Sequence, residues 1–262
     1  MNALENFELA LVAQLHERSQ WLLGQRGDAS PAQSIRCLGA LSVRVENEPL
    51  ALTGRARDVV SALLTRPSAQ APAAVIAGEL WPHGELDYAL GALNTTLYRM
   101  RRRKGLSDLI VLRDGYLSMG PKWFVDRKVL ESALDTAAIL LLSNKSCHAP
   151  SLSALADFVC AIYRGPLLED EALDNVATAR SRLQARLIDI VQRIEARLAA
   201  QNIGFGWTQS VCAIDPQVRV YANQAQPACA SRAKQTMTTT SWVSPARVSR
   251  QQGRLPSARV VV

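Results

Sequence analysis

The first clear alternation along the chain lies in IRCLGALSVRVEN, where Val43 and Val45 fall on one side and Ser42 and Arg44 on the other. A period of two predicts a half-exposed strand. Glu46-Asn47-Glu48 supplies a turn, and Pro49-Leu50-Ala51-Leu52 starts a second short strand. Thr53 stands where a helix cap is wanted. From Arg55 to Thr65 the period lengthens: Val59, Val60, Leu63 and Leu64 line one side of a helix, which Pro67 ends. A second helix is expected over Ala73 to Leu80, with Val75, Ile76 and Leu80 inward, and Trp81-Pro82-His83-Gly84 breaks it. A third runs from about Asp87 to Lys104, with Tyr88, Leu90, Leu93, Leu97 and Met100 as its apolar residues. Leu93, Leu97 and Met100 are spaced by four and three, so they share a face. Asn94, Thr95, Tyr98, Arg99, Arg101 and Arg102 are then free to face something else, and Gly105 stops the helix. Leu109 to Leu112, Arg113-Asp114-Gly115 and Tyr116 to Ser118 read as strand, turn and strand, because Asp-Gly favours a tight hairpin.

On either side the pattern changes. Residues 5–23 have a rough helical face in Leu9, Val12, Leu15, Trp21 and Leu22, and Gly24 to Gln33 reads as a linker. After a short connection at Gly120-Pro121-Lys122, residues 125–200 predict helices that stack as hairpins. Val129, Leu130, Leu134 and Ala138 line the first. Leu152, Leu155, Phe158, Val159 and Ile162 line the second, and Leu183, Leu187, Ile190, Ile194 and Leu198 the third. From Gln217 onward Ser, Thr, Gln, Ala, Pro and Arg dominate without periodicity, as in a disordered basic tail. The division is 1–34, an N-terminal helix and linker; 35–121, a mixed domain; 122–216, a helical domain; and 217–262, the tail.

The net charge of +7 is uneven. Residues 201–262 hold seven basic side chains and one acidic, whereas residues 122–200 hold ten of each. Most of the excess therefore lies in the tail, and the informative feature is the local run Arg101-Arg102-Arg103-Lys104. The five cysteines, Cys37, Cys147, Cys160, Cys212 and Cys229, show no metal-ligand spacing, and three histidines add none, so no cofactor or metal is expected. The start of the chain has acidic residues where a signal peptide would be basic, and its longest apolar stretch, Ala137 to Leu142, is too short to span a membrane. A reduced cytoplasmic protein without membrane association is expected. Asp126, Asp157 and Glu169-Asp170-Glu171 have no nearby His or Cys arrangement, the acidic triplet reads as a solvated turn, and Cys147-His148 lacks a third group. An enzyme is not expected.

A polar and basic helix held behind a bracing helix fits the major groove of duplex DNA, where base edges offer donors and acceptors. Asn94, Thr95 and Tyr98 would lie nearest the bases. Arg99, Arg101 and Arg102 would grip bases or phosphates, and Arg113 at the hairpin tip would reach a minor groove or a phosphate. The order of elements reads as an α+β winged helix-turn-helix domain followed by helical hairpins. Residues 35–119 resemble the winged-helix DNA-binding domain of two-component response regulators, in the version found in streptomycete-type antibiotic regulatory proteins. IRCLGALSVRVENEPLAL, LTGRARDVVSALLTRP, AGELWP, and ALNTTLYRMRRRKG followed by IVLRDGYLS carry the resemblance. WFVDRKVLESALD, Tyr163 to Leu168, ARSRLQARLIDIV and Ala213-Ile214-Asp215-Pro216 resemble that family's bacterial transcriptional activation domain. Roughly residues 35–216 are covered, about seventy per cent of the chain.

The resemblance implies that the second part is all-α and tetratricopeptide-like. It also implies a transcriptional regulator, an activator, with double-stranded promoter DNA, RNA polymerase and a second copy of the chain as partners. Thirty-four residues before the mixed domain cannot hold a receiver domain, and no Walker-type loop is found. Control by aspartyl phosphorylation and an ATPase module are therefore not expected. Lys104 stands where the family has leucine, and the family pattern stops at Asp215-Pro216, which predicts an incomplete helical domain whose last hairpin exposes apolar surface. Two other readings stay open: a helical-repeat interaction scaffold, and a truncated, inactive remnant of a regulator.

Overall fold

The computed structural model describes residues 32–142, 149–203 and 206–225. The helix expected over 5–23, the Cys147-His148 pair and the tail beyond Ala225 lie outside the described residues. A mixed α/β region comes first and a largely helical region follows.

Two small sheets frame the first region. β1 (Gln33–Arg36) pairs antiparallel with β2 (Ser42–Val45), in a register that sets Ile35 opposite Val43. β3 (Glu48–Pro49) adds an outer edge to β2. Helix α1 (Arg55–Leu64) follows, with Val59, Val60, Ala62, Leu63 and Leu64 fully buried. Thr53 does not cap it. The residue at the cap is Gly54, whose φ of 56° is a left-handed geometry that glycine adopts without strain.

β4 (Gln70–Pro72) leads directly into α2 (Ala73–Leu80), and α3 (Leu86–Arg102) packs against α2. The Asp114-Gly115 turn, with φ of 50° and 77°, joins β5 (Ile110–Arg113) to β6 (Tyr116–Met119). Positive φ at both turn residues twists the hairpin in the sense of its strands. β6 lies between β4 and β5, so the hairpin is bound to the entry of α2 rather than standing alone. Val75 and Tyr88, read as inward and apolar, are 43% and 68% exposed. On α2 the buried stripe is Ala73, Ile76, Ala77 and Leu80, and on α3 it is Ala89, Leu93, Leu97 and Met100. Each follows the three-and-four spacing, which excludes Val75 and Tyr88.

The first region does not end at Pro121. β7 (Phe124–Val125) pairs in parallel with β1 and completes a sheet of order β3-β2-β1-β7. α4 (Asp126–Leu142) starts at once, and its Asp126 is buried. Both carboxylate oxygens accept from the Cys37 backbone N–H at 3.0 Å, and Oδ2 accepts from Leu38 N at 3.1 Å. Oδ1 also accepts from the Arg127 N–H and from the Cys37 thiol.

α5 (Ala149–Ile162), α6 (Asp174–Ala199), α7 (Trp207–Ile214), a 3-10 turn (Pro216–Val218) and α8 (Arg219–Ala225) follow. Asp215 ties three of them together. It accepts from Tyr163 Oη and Gln184 Nε2, each at 2.6 Å, and from the Gln217 N–H at 3.1 Å. Regular structure thus runs past Pro216, where the sequence pattern stops, and Val218 is fully buried. Ile214 and Val220 in the same segment are 40% and 59% exposed, so the last turns bury one face and leave the other open.

The segment between α5 and α6 joins the two regions. Leu38 bridges Leu167, Gly39 N donates to Pro166 O at 3.0 Å, and Leu168 N donates to Cys37 O at 2.8 Å. Glu169-Asp170-Glu171 is not a freely solvated turn: Arg57 Nε donates to Glu171 Oε1 at 2.5 Å, and Glu171 is only 10% exposed in its side chain. The described residues from 32 to 225 form one compact unit. Among the described residues no helix is long and apolar enough to cross a membrane.

Candidate nucleic-acid interface

α3 has two distinct exposed rows. Its inner stripe fixes its rotation, since Leu93 and Leu97 are 1% and 2% exposed and cannot turn outward without opening the core. Asn94, Tyr98 and Arg102 follow one another at intervals of four and form an outer ridge, with Thr95 and Arg101 flanking it; all five are exposed. Tyr98 is 58% exposed, and the Arg102 guanidinium lies 5.7 Å from its ring centroid while Nη1 donates to Tyr98 Oη at 3.1 Å. This pair is partly ordered before any ligand arrives. The Thr95 hydroxyl donates to Gly91 O at 2.9 Å and keeps its lone pairs for an incoming donor.

Half-buried Thr96 and exposed Arg99 form the second row, and Arg103, the extended residue that caps α3, lies beside them toward the start of α1. Arg99, expected on the outer face, in fact lines a groove of about 240 Å³ together with Thr53, Arg55, Thr96, Met100 and Arg103. Arg55 is held there by Asp58, at 3.1 Å, and by the face of the half-buried Trp81, 5.3 Å from the ring centroid. Arg113 stands at the hairpin tip, 87% exposed in its side chain, with a loose 3.6 Å contact to the equally open Asp114.

The electrostatics follow from sequence order along α3. Asp87 sits in the first turn and Arg99, Arg101 and Arg102 in the last, which suits the helix dipole. Arg103 and Lys104 extend the positive end, and among the described residues neither they nor Arg99 nor Arg101 makes a salt bridge. Elsewhere several arginines meet carboxylates: Arg57 with Glu171, Arg66 with Glu79, Arg127 with Glu131, Arg186 with Asp135 and Arg193 with Asp189. The α3 end is therefore a local excess of positive charge rather than a part of the general surface balance.

Of the residues singled out from sequence, Asn94, Thr95, Tyr98, Arg101 and Arg102 share one surface. Arg99 lies on its flank, and Arg113 belongs to the separate hairpin tip. Thr53 and Arg55 were not among them, and Arg103 was named only as part of the basic run. The spacing of four between Arg99 and Arg103 was visible in the sequence, but the approach of the α1 start to that row depends on tertiary packing. Neither the family models nor the curated proteins searched with this sequence gave a match.

Proposed function

We propose that the chain is a sequence-specific, double-stranded-DNA-binding transcriptional regulator, an activator. Its first region acts as a winged helix-turn-helix and its second as a tetratricopeptide-like helical domain. The observation that carries this reading is the outer ridge of α3. Polar and cationic side chains project from a helix whose opposite face is locked into the core, and its Arg101 has no carboxylate partner among the described residues. A helix so presented matches the width of the major groove, and its amide and guanidinium groups match base-edge patterns. Asn94, Thr95 and Tyr98 read bases, Arg101 and Arg102 are shared between bases and phosphates, and Arg99 and Arg113 hold the backbone. The order of motifs over residues 35–216 supports the same reading through its resemblance to streptomycete-type antibiotic regulatory proteins. On this reading the helical region meets RNA polymerase or a second copy of the chain, and two linked copies would raise affinity for a repeated site.

The test is selection of bound sequences from a randomised duplex library at near-physiological salt, followed by affinity measurement on the enriched site. A recurrent motif is expected, and Arg99→Ala with Arg101→Ala should abolish its enrichment while circular dichroism stays unchanged. Loss of one base contact should weaken binding by about 1–3 kcal/mol at a single base position. Binding that is salt-sensitive but free of any motif would reject sequence-specific regulation and leave the interaction scaffold as the better account.

A further inference from the structure

The groove between the start of α1 and the C-terminal part of α3 gathers three cations about a single paired carboxylate. Arg55, Arg99 and Arg103 line it, and among the described residues the one carboxylate bonded to any of them is Asp58, which is engaged with Arg55. Asp58 offsets the charge of Arg55, whereas Arg99 and Arg103 line the same concavity without a carboxylate among the described residues and repel each other unless an anion joins them. The groove holds about 240 Å³ of space, and Ala56, Met100 and Leu106 give it an apolar lining beside its polar groups. Its hydroxyls are not equivalent. Thr96 gives its proton to Ala92 O at 2.9 Å, so Thr53 is the hydroxyl left to donate. Arg55 is pre-oriented by the Trp81 ring, which lowers the ordering cost of a contact made by its outer edge. Guanidinium forks and a hydroxyl donor around a small concavity match the oxygens of a phosphate group.

We propose that this groove is a phosphate-binding site, filled by a backbone phosphate of the duplex when the outer ridge of α3 engages DNA. The inference rests on the DNA-binding reading for its occupant but not for the chemistry of the site. The groove flanks the ridge on the same helix, so a duplex seated on Asn94, Tyr98 and Arg102 brings its sugar-phosphate edge toward Arg99 and Arg103. Arg55 and Thr53 then clamp the phosphate from the side of α1. Such a contact fixes the register of the helix in the groove and carries no sequence information itself.

The experiment uses the full chain and two probes. The first is the affinity for duplex DNA measured across a salt series, for the wild type and for Arg103→Ala, Arg55→Ala and, as a charge-matched control on α6, Arg182→Ala. Each lost phosphate contact should lower the slope of log affinity against log salt by about 0.9, equally for matched and unmatched sequences, and Arg182→Ala should leave it unchanged. Arg103 is exposed and makes no salt bridge among the described residues, so Arg103→Ala carries the test if loss of the Arg55–Trp81 contact disturbs the fold. The second probe is inorganic pyrophosphate, titrated at low salt and followed by calorimetry. Saturable binding lost in Arg103→Ala, with an unaltered DNA salt slope, would keep the phosphate site and assign it to a free phosphorylated ligand. An unaltered slope together with no saturable pyrophosphate binding would overturn the proposal. If the wild type bound no DNA, the regulator reading would fall and the pyrophosphate titration alone would decide the site.

Discussion

Asp126 accepts hydrogen bonds from Cys37 N, Leu38 N, Arg127 N and the Cys37 thiol while 3% exposed. Burial pushes its carboxyl above the usual range, because desolvation outweighs the donors gathered around it, and the same burial pushes the Cys37 thiol up. Asp126→Ala would leave several buried donors without acceptors, each costing about 1–3 kcal/mol. A loss of at least about 3 kcal/mol in urea unfolding is expected, and a loss under about 1 kcal/mol would show that water replaces the carboxylate. The pH dependence has a definite sign. The folded chain keeps the Asp126 proton to a higher pH than the unfolded chain does. Between the ordinary carboxylate range and the raised folded value the native state holds more protons, so this site's contribution to stability falls as pH rises. Asp126→Asn should remove that slope. A variant whose unfolding midpoint kept the wild-type dependence on pH would contradict the assignment. Nothing in the sequence marks Asp126 for this task, since Cys37 and Leu38 lie almost ninety residues earlier in the chain.

Elements built from local periodicity were legible in the sequence. α1, α2, α3 and the β5–β6 hairpin lie where the apolar spacing and Asp114-Gly115 put them. Errors arose where long-range packing chose between local alternatives. β7 is two residues of no visible pattern, and it exists because β1 offers an open edge. Arg99 faces a groove because α1 approaches α3 on that side. Glycines allow a test of this distinction between local and tertiary control. In α2, Gly78 is exposed and an added methyl would meet nothing within 4 Å, so Gly78→Ala should stabilise the chain by roughly 0.5–1 kcal/mol through helix propensity. At Gly120 a methyl carbon would sit 1.9 Å from Asp108 O, a backbone atom that cannot swing aside. Gly120→Ala should therefore destabilise strongly, by several times that amount. Thermal melts of the two variants should move in opposite directions. A shared direction would mean that the segment from β6 to β7 yields more readily than its contacts indicate.

At the scale of the whole molecule, the sequence reading separates two domains at Gly120-Pro121-Lys122, whereas the packing fuses them. β1 has its sheet neighbour β7 and its capping carboxylate Asp126 just beyond that point, and the segment from Pro166 to Glu171 returns to bond Cys37, Gly39 and Arg57. Separate domains joined by a linker would open independently, each with its own stability. Fusion through a shared strand instead ties the opening of the α/β region to loss of the helical region. Native-state hydrogen exchange resolves the two cases. Leu187 in α6 is fully buried, and Leu187→Ala should cost about 2–5 kcal/mol. If the chain unfolds as one unit, the slowest amides of α3, around Leu93 and Leu97, should lose as much protection as those of α6 around Leu187 and Val191. If only α6 lost protection, α3 would be held by the first region alone. The bonds to Leu38, Gly39 and Arg57 would then be contacts between neighbours rather than parts of one core. The expected equal loss bears on function, because a rigid fusion sets the angle at which the α3 ridge is carried relative to the helical region. If the proposed DNA-binding reading holds, that angle would fix the spacing between half-sites for any pair of copies joined through the helical region.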